Sequence, residues 1–220
     1  MGSKKIVELI RQQGMLPLFY HEDAHVCHEV VKALYAAGIR LVEFTNRGDH
    51  ALRNFKFLTD KRDEEMPGLV LAAGTIKNAK DAKAFIKAGA KCIISPGLDT
   101  EAGKRAQDAG VLWIPGCMSP TEIMAAESAG AELIKLFPGS LLGPGYLKAI
   151  REVFPSLLFV PTGGVKLDRE NLKAWFDAGV CAVGMGSRLL DTELLSSANY
   201  KEISSRAMSA LALIREIRSL

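Results

Sequence analysis

Five times along this chain an Ala-Gly helix ending is followed at once by a short apolar run: AAGIRLVEF, KAGAKCIIS, DAGVLWIPG, SAGAELIKL and DAGVCAVGM. Gly38, Gly89, Gly110, Gly130 and Gly179 are suited to the left-handed conformation that closes a helix before the chain turns into a strand. Strands buried on both faces are nearly continuous apolar stretches, and MLPLFY, GLVLAAGT and LLFVPTGG have the same character. Each of the eight runs precedes a stretch with helical spacing. Eight such units predict an α/β protein, a (β/α)8 TIM barrel occupying residues 1–220 as a single domain. An open doubly wound sheet is the rival, but its Gly-rich turn is missing: MLPLFYHEDAH has no glycine after the first strand. The residues before Gly14 predict an extra N-terminal helix under the barrel. From about Tyr200 to Leu220 a final helix is expected, with Ile203, Met208, Leu211 and Ile214 on its apolar face.

Charge and cysteine usage then remove several function classes. Lys and Arg number 28 against 25 Asp and Glu, without a long block of either sign, so neither nucleic acid nor membrane is expected as a partner. The start, MGSKKIVELI, lacks the apolar core of a signal peptide, and a cytoplasmic location is expected. Cys27, Cys92, Cys117 and Cys181 are widely separated, form no C-x-x-C pair, and are expected to be buried reduced thiols.

In a barrel the chemistry sits at the carboxyl ends of the strands. In ELIKLFPG, period-two alternation places Leu133, Lys135 and Phe137 on one face and Ile134 and Leu136 on the other, so Lys135 points into the barrel. An unpaired buried ammonium is costly, whereas a desolvated neutral amine is what attacks a ketone to form a Schiff base. The alternative is a lysine that only balances charge. In IRLVEFTNRG the same alternation gives Leu41, Glu43, Thr45 and Arg47 one shared face. Glu43 suits proton transfer beside the amine, and Arg47 suits two-point binding of a substrate carboxylate, although both also fit a structural ion pair.

Thr75, closing AAGT, has a hydroxyl suited to the same carboxylate or to capping the helix that begins near Asn78. Pro96, in SPG, is a candidate pocket wall. The runs PTGGV and GMGS end the seventh and eighth strands, where barrels bind phosphate through backbone N–H groups and a helix start. Gly163, Gly164, Gly186 and Ser187 fit that task, ordinary turns being the plainer account. One motif is rejected. His21 to His25 spell H-E-x-x-H, but Asp23 suits the cap of the first barrel helix, which leaves His21 in the loop and breaks the one-turn spacing of two zinc ligands. No metal site is expected.

With these residues in place, the sequence resembles the 2-keto-3-deoxy-6-phosphogluconate (KDPG) aldolase family, which also includes 4-hydroxy-2-oxoglutarate (KHG) aldolases. The resemblance is carried over almost the whole chain by VEFTNR at 42–47, AAGT at 72–75, ISPG at 94–97, IPG at 114–116, IKLFP at 134–138, PTGGV at 161–165 and GS at 186–187. It implies a class I aldolase acting on a small keto acid. In it Lys135 is the Schiff-base lysine, Glu43 the acid–base group, and Arg47, Thr75 and Thr162 hold the substrate carboxylate. It further implies phosphate binding at Gly163, Gly164 and Ser187, a pocket lined by Pro96 and Phe137, no metal or organic cofactor, and a homotrimer. The segment GSLLGPGYLKAI and the YHEDAH at the first strand's end depart from the family pattern and bear on which aldehyde is accepted. The readings from other classes are a phosphate-binding barrel epimerase or synthase, and a sensor of sugar acids without turnover.

Overall fold

The expected helix stops are in place: Gly38, Gly89, Gly110, Gly130 and Gly179 have φ of 96, 102, 67, 84 and 92°. Each leads within a few residues into a buried strand, because a residue without Cβ reverses the chain there at no steric cost. The computed structural model of the protein describes residues 2–219. The chain begins with α1 (Ser3–Gln13) and then alternates strand and helix: β1 (Met15–Phe19), α2 (Ala24–Ala36), β2 (Leu41–Thr45), α3 (Ala51–Glu65), β3 (Val70–Gly74), α4 (Ala79–Lys87), β4 (Cys92–Ile94) and α5 (Thr100–Asp108). It continues through β5 (Leu112–Ile114), β6 (Gly116–Cys117), α6 (Pro120–Ser128), β7 (Leu133–Leu136), α7 (Gly139–Arg151), β8 (Leu158–Pro161) and α8 (Arg169–Asp177). The last elements are β9 (Val183–Met185), α9 (Thr192–Ser196) and α10 (Tyr200–Arg218).

Every strand pairing is parallel and the sheet is curled, with a six-stranded order β5-β4-β3-β2-β1-β9 and a three-stranded order β6-β7-β8. The run expected as one fifth strand is cut at Pro115, which has no N–H to donate. Its carbonyl still accepts from the Lys135 amide at 2.9 Å. At the far side Thr162 makes a parallel bridge to Gly184. Most starts of the helices that follow a strand carry a side-chain cap; Asp23, Asn78, Asp99, Ser119 and Asp168 each accept an amide N–H two or three residues on. The helices after β2 and β7 are the exceptions: α3 and α7 start at His50 and Pro138 with no such cap.

Alternation along the strands sorts the side chains into two apolar clusters. Val42, Phe44, Leu71, Ile93, Trp113 and Ile134 pack against the helices. Leu16, Leu41, Val70, Cys92, Leu112 and Leu133 face the other way and meet Ile6, Val7 and Ile10 of α1. Ile6 and Ile10 are each only 1% exposed, so each contributes roughly 1.5–3 kcal/mol of burial. Gln13, at the end of α1, ties that helix to the strands: its Oε1 accepts from Arg40 N at 2.7 Å and Leu41 N at 3.0 Å, and its Nε2 donates to Leu41 O at 2.9 Å.

Several expectations need correction. Met208 lies on the outer side of α10 and is 51% exposed, while Ala207 and Ala210 take its place beside Ile203, Leu211 and Ile214. Leu220 lies outside the described residues. Cys27, Cys92 and Cys117 are buried free thiols, but the free Cys181 is only half-buried. Short α9 had no periodic signal, and α7 is kinked at Gly143, where φ is 71° ahead of Pro144. Among the described residues no helix is long and apolar enough to cross a membrane.

Candidate active site

Glu43 is the third residue of β2 and Lys135 the third of β7, each flanked by residues that pack outward, so alternation turns both side chains inward. Their polar ends meet: Lys135 Nζ lies 3.4 Å from Glu43 Oε1, and the two residues are 5% and 0% exposed. The Phe137 ring, two residues on, has its centroid 5.6 Å from the same nitrogen. Taking two charges out of water costs several kcal/mol per ion, which one contact of this length does not fully return. Nor is the pair fully satisfied, since Glu43 Oε2 has no hydrogen-bond partner although it is buried. Thr162, inward-facing just past β8, has a buried hydroxyl in the same condition. Each such group costs about 1–3 kcal/mol, a sign that the arrangement serves a ligand rather than the fold. Ser95 also has an unpartnered buried hydroxyl, but it follows inward-facing Ile94 and so falls on the helix side of its strand.

Room for these groups is made by glycines. A Cβ on Gly74 would fall 2.6 Å from Glu43 Cδ and collide with its carboxylate; one on Gly184 would strike the Thr162 hydroxyl; one on Gly116 would strike the Pro96 carbonyl. None of the three has a positive φ, so the backbone does not demand glycine at these places. Their role is room. This signal was present in the sequence, as glycines inside strand runs without a turn to make, and it went unused there.

The remaining predicted residues gather at the carboxyl ends of the strands. Thr75 follows β3, is half-buried and has φ 58°, an outlier for a β-branched residue of the kind that collects at functional sites. It does not cap α4, because the Asn78 side chain accepts from Asp81 N at 2.8 Å. Pro96, Phe137, Gly163 and Gly186 are half-buried; Arg47, Gly164 and Ser187 are exposed. Arg47 lies two residues beyond the end of β2, in a loop rather than on the strand face expected for it. Neither glycine pair opens a helix: α8 begins at Arg169, and residues 187–189 form a turn. The expected helix start is therefore replaced by loop amides. Among the described residues the N–H groups of Gly163, Gly164, Gly186 and Ser187 donate to no backbone carbonyl, and Gly163 and Gly164 have φ of 88 and 80°. Free backbone amides in such a turn are the kind of group that receives an anion.

Cys92 stands on β4 in register with Ala72, the neighbour of Glu43, on the inward side. Burial above all, and then the Glu43 charge, pushes its thiol well above the usual range despite Lys135, so it stays a neutral apolar filler. At the rejected zinc motif, Asp23 accepts from His25 N and Val26 N as the cap of α2, and His21 lies in the preceding loop. Among the described residues no three His, Cys, Asp or Glu are grouped to hold a metal ion.

Comparison with known proteins gives the family of the chain. A family model described as KDPG and KHG aldolase matches residues 6–206. The chain is 32% identical over 218 residues to 2-dehydro-3-deoxy-phosphogluconate aldolase of Pseudomonas aeruginosa, covering 98% of this chain and 96% of that one. It is 39% identical over 121 residues to 2-dehydro-3-deoxy-6-phosphogalactonate aldolase of Escherichia coli K12, a match that spans 54% of this chain and 58% of the relative. Among solved structures it is similar to the KDPG aldolase of Legionella pneumophila with pyruvate captured as a covalent carbinolamine, with TM-score 0.85, 27% identity, and 93% and 97% of the two chains covered.

Proposed function

Because the chain belongs to the KDPG and KHG aldolase family, we propose that it is a class I aldolase whose Lys135 condenses with a 2-keto acid. The observation that carries this reading is the buried contact of Lys135 Nζ with Glu43 Oε1 at 3.4 Å. The amine adds to the C2 carbonyl to give a carbinolamine; loss of water gives a protonated imine. Cleavage of the C3–C4 bond releases an aldehyde, and the bonding electrons pass into the imine to leave an enamine. Glu43 moves protons in these steps: to and from the carbinolamine oxygen, from the C4 hydroxyl as the C3–C4 bond breaks, and then to C3. Hydrolysis frees pyruvate and the lysine.

Arg47, Thr75 and Thr162 hold the substrate carboxylate, with the unpartnered Thr162 hydroxyl as the support from inside the sheet. The free amides at Gly163, Gly164, Gly186 and Ser187 bind a phosphate, and Pro96 and Phe137 wall the pocket. A keto-acid end and a phosphate end together favour 2-keto-3-deoxy-6-phosphogluconate, cleaved to pyruvate and glyceraldehyde 3-phosphate. Two other substrates have specific support: 4-hydroxy-2-oxoglutarate, named by the family, and the phosphogalactonate epimer, named by the Escherichia coli relative.

The scaffold is a single domain in which the eight strand–helix units close into a (β/α)8 ring. The support is the Pro115 carbonyl joining β5 to β7 and the Thr162 to Gly184 bridge joining β8 to β9. α1 acts as the floor of that ring. A homotrimer in the cytoplasm is the proposed working state, with exposed Met118, Met124 and Leu141 supplying apolar contact area.

Borohydride reduction in the presence of pyruvate tests the mechanism. The expected result is a reduced pyruvyl adduct on the Lys135 peptide; an unmodified Lys135 at saturating pyruvate overturns it. Turnover of the phosphorylated substrates against 4-hydroxy-2-oxoglutarate then ranks the three, and light scattering of the purified protein checks the trimer.

A further inference from the structure

Arg47 makes no ion pair among the described residues, so its position is set by the turn that carries it. That turn is tied to β3 by Asn46 N donating to Gly74 O at 2.8 Å, and to α3 by Ala51 N donating to Gly48 O at 3.0 Å. The β1 side adds a third support. Tyr20, the first residue after β1, lays its ring on Phe44 with centroids 5.7 Å apart and reaches over to Gly48. A Cβ on Gly48 would fall 2.7 Å from Tyr20 Cζ and 3.0 Å from Cε1, and closer still to the hydroxyl. Gly48 has no positive φ, so its backbone would accept another residue. What excludes a side chain there is the phenol itself.

From this close fit we infer that Tyr20 is a positioning residue: it braces the 46–50 turn against the end of β1 and so fixes Arg47 where a substrate carboxylate is held. The inference rests on the reading of Arg47 as the carboxylate group. The tie is reinforced beneath it, because the Thr45 hydroxyl donates to Phe19 O at 3.2 Å and locks the two strand ends in register. Partial burial, ahead of the charges of Cys27, Glu22 and Asp49, pushes the phenol above its usual range, so the brace is uncharged at physiological pH. A rigid ring with two χ angles suits such a task, since displacement of a binding group by about 1 Å costs up to 100-fold in rate or affinity.

The test is a size-complementation cycle on the full chain, read as the pyruvate concentration for half-maximal borohydride trapping and as turnover at saturating substrate. Gly48→Ala is expected to raise the half-saturating concentration about ten-fold with turnover at saturation kept within about two-fold. Tyr20→Phe keeps the ring and should stay near wild type, whereas Tyr20→Ala should weaken pyruvate binding. The double variant Tyr20→Ala with Gly48→Ala should bind no worse than Tyr20→Ala alone, because the collision is gone. Losses that multiply in the double variant, or a Gly48→Ala protein that binds pyruvate normally, overturn the inference. Arg47→Ala separates the two levels: unchanged half-saturation in that variant overturns the carboxylate role, and a large rise there beside normal Gly48→Ala and Tyr20→Ala proteins overturns the brace alone.

Discussion

The two ends of the inward-facing sheet surface are built from the same strands by the same alternation, yet one is filled with aliphatic side chains and the other is lined by polar groups and glycines. Toward the amino ends of the strands, Leu16, Leu41, Val70 and Leu133 meet Ile6 and Ile10 from α1 in a continuous aliphatic cluster. Toward the carboxyl ends the corresponding positions hold Glu43 and Lys135, then Gly74, Gly184 and the unpartnered Thr162. The difference teaches how a single sheet separates stability from chemistry. Apolar burial at one end supplies free energy that the other end gives up in desolvated charge, orphaned hydroxyls and the backbone strain at Thr75.

Substitutions at the two ends should therefore fail in different assays. The largest effect is expected for Lys135→Ala, which should abolish the trapped pyruvate adduct and lower turnover a thousand-fold or more, on the order seen when a covalent nucleophile is removed. Glu43→Gln should slow turnover by about 10²–10⁴ while changing half-saturation by pyruvate little, as measured in steady-state kinetics. Equal loss of binding in both variants would erase the division of labour between them. At the filled end, Ile10→Ala should destabilise the fold by about 2–5 kcal/mol in urea titration with turnover at saturation unchanged. A matching loss of turnover would show that the two ends are not independent.

Thr75→Gly addresses the polar end from the side of strain. Relief of φ 58° should raise stability by about 1 kcal/mol and weaken pyruvate binding several-fold, measured by melting and by trapping. Glu122 is expected to have the smallest effect. Its carboxylate accepts from Met118 N and Ser119 N, each at 2.8 Å, and these bonds, Met118 first, hold it below the usual range. A depressed folded-state value contributes stability above the ordinary carboxylate range and loses it as pH falls through the depressed one. Glu122→Gln should therefore lower the melting temperature slightly at neutral pH, with the difference vanishing in acid.

How much of this was legible in the sequence depended on whether a feature is local. The Ala-Gly stops are local, and each of the five glycines adopts the left-handed conformation predicted for it. Alternation is local too, and it turned Lys135 and Glu43 to the same side although 92 residues separate them. It failed for Arg47, because β2 ends at Thr45 and period two has no meaning in a loop. The loops after β8 and β9 were visible as glycine runs, but the helix start expected with them is absent: backbone N–H groups left free at Gly163 and Gly164 leave no side-chain pattern. Gly74, Gly116 and Gly184 escaped notice because a glycine that makes space for a distant side chain has the same letter as one that makes a turn. The cut at Pro115 was visible as a residue that cannot donate; its consequence for the pairing of neighbours was not.

Gln13 carries a consequence of its own. A carboxamide presents one donor edge and one acceptor edge at the spacing of a peptide group, so the last side chain of α1 impersonates a stretch of main chain alongside Arg40 and Leu41. The helix is thereby grafted onto the sheet lattice rather than merely resting on it. Exchange for glutamate would delete the donor edge, and the graft would loosen first on the side facing the Leu41 carbonyl.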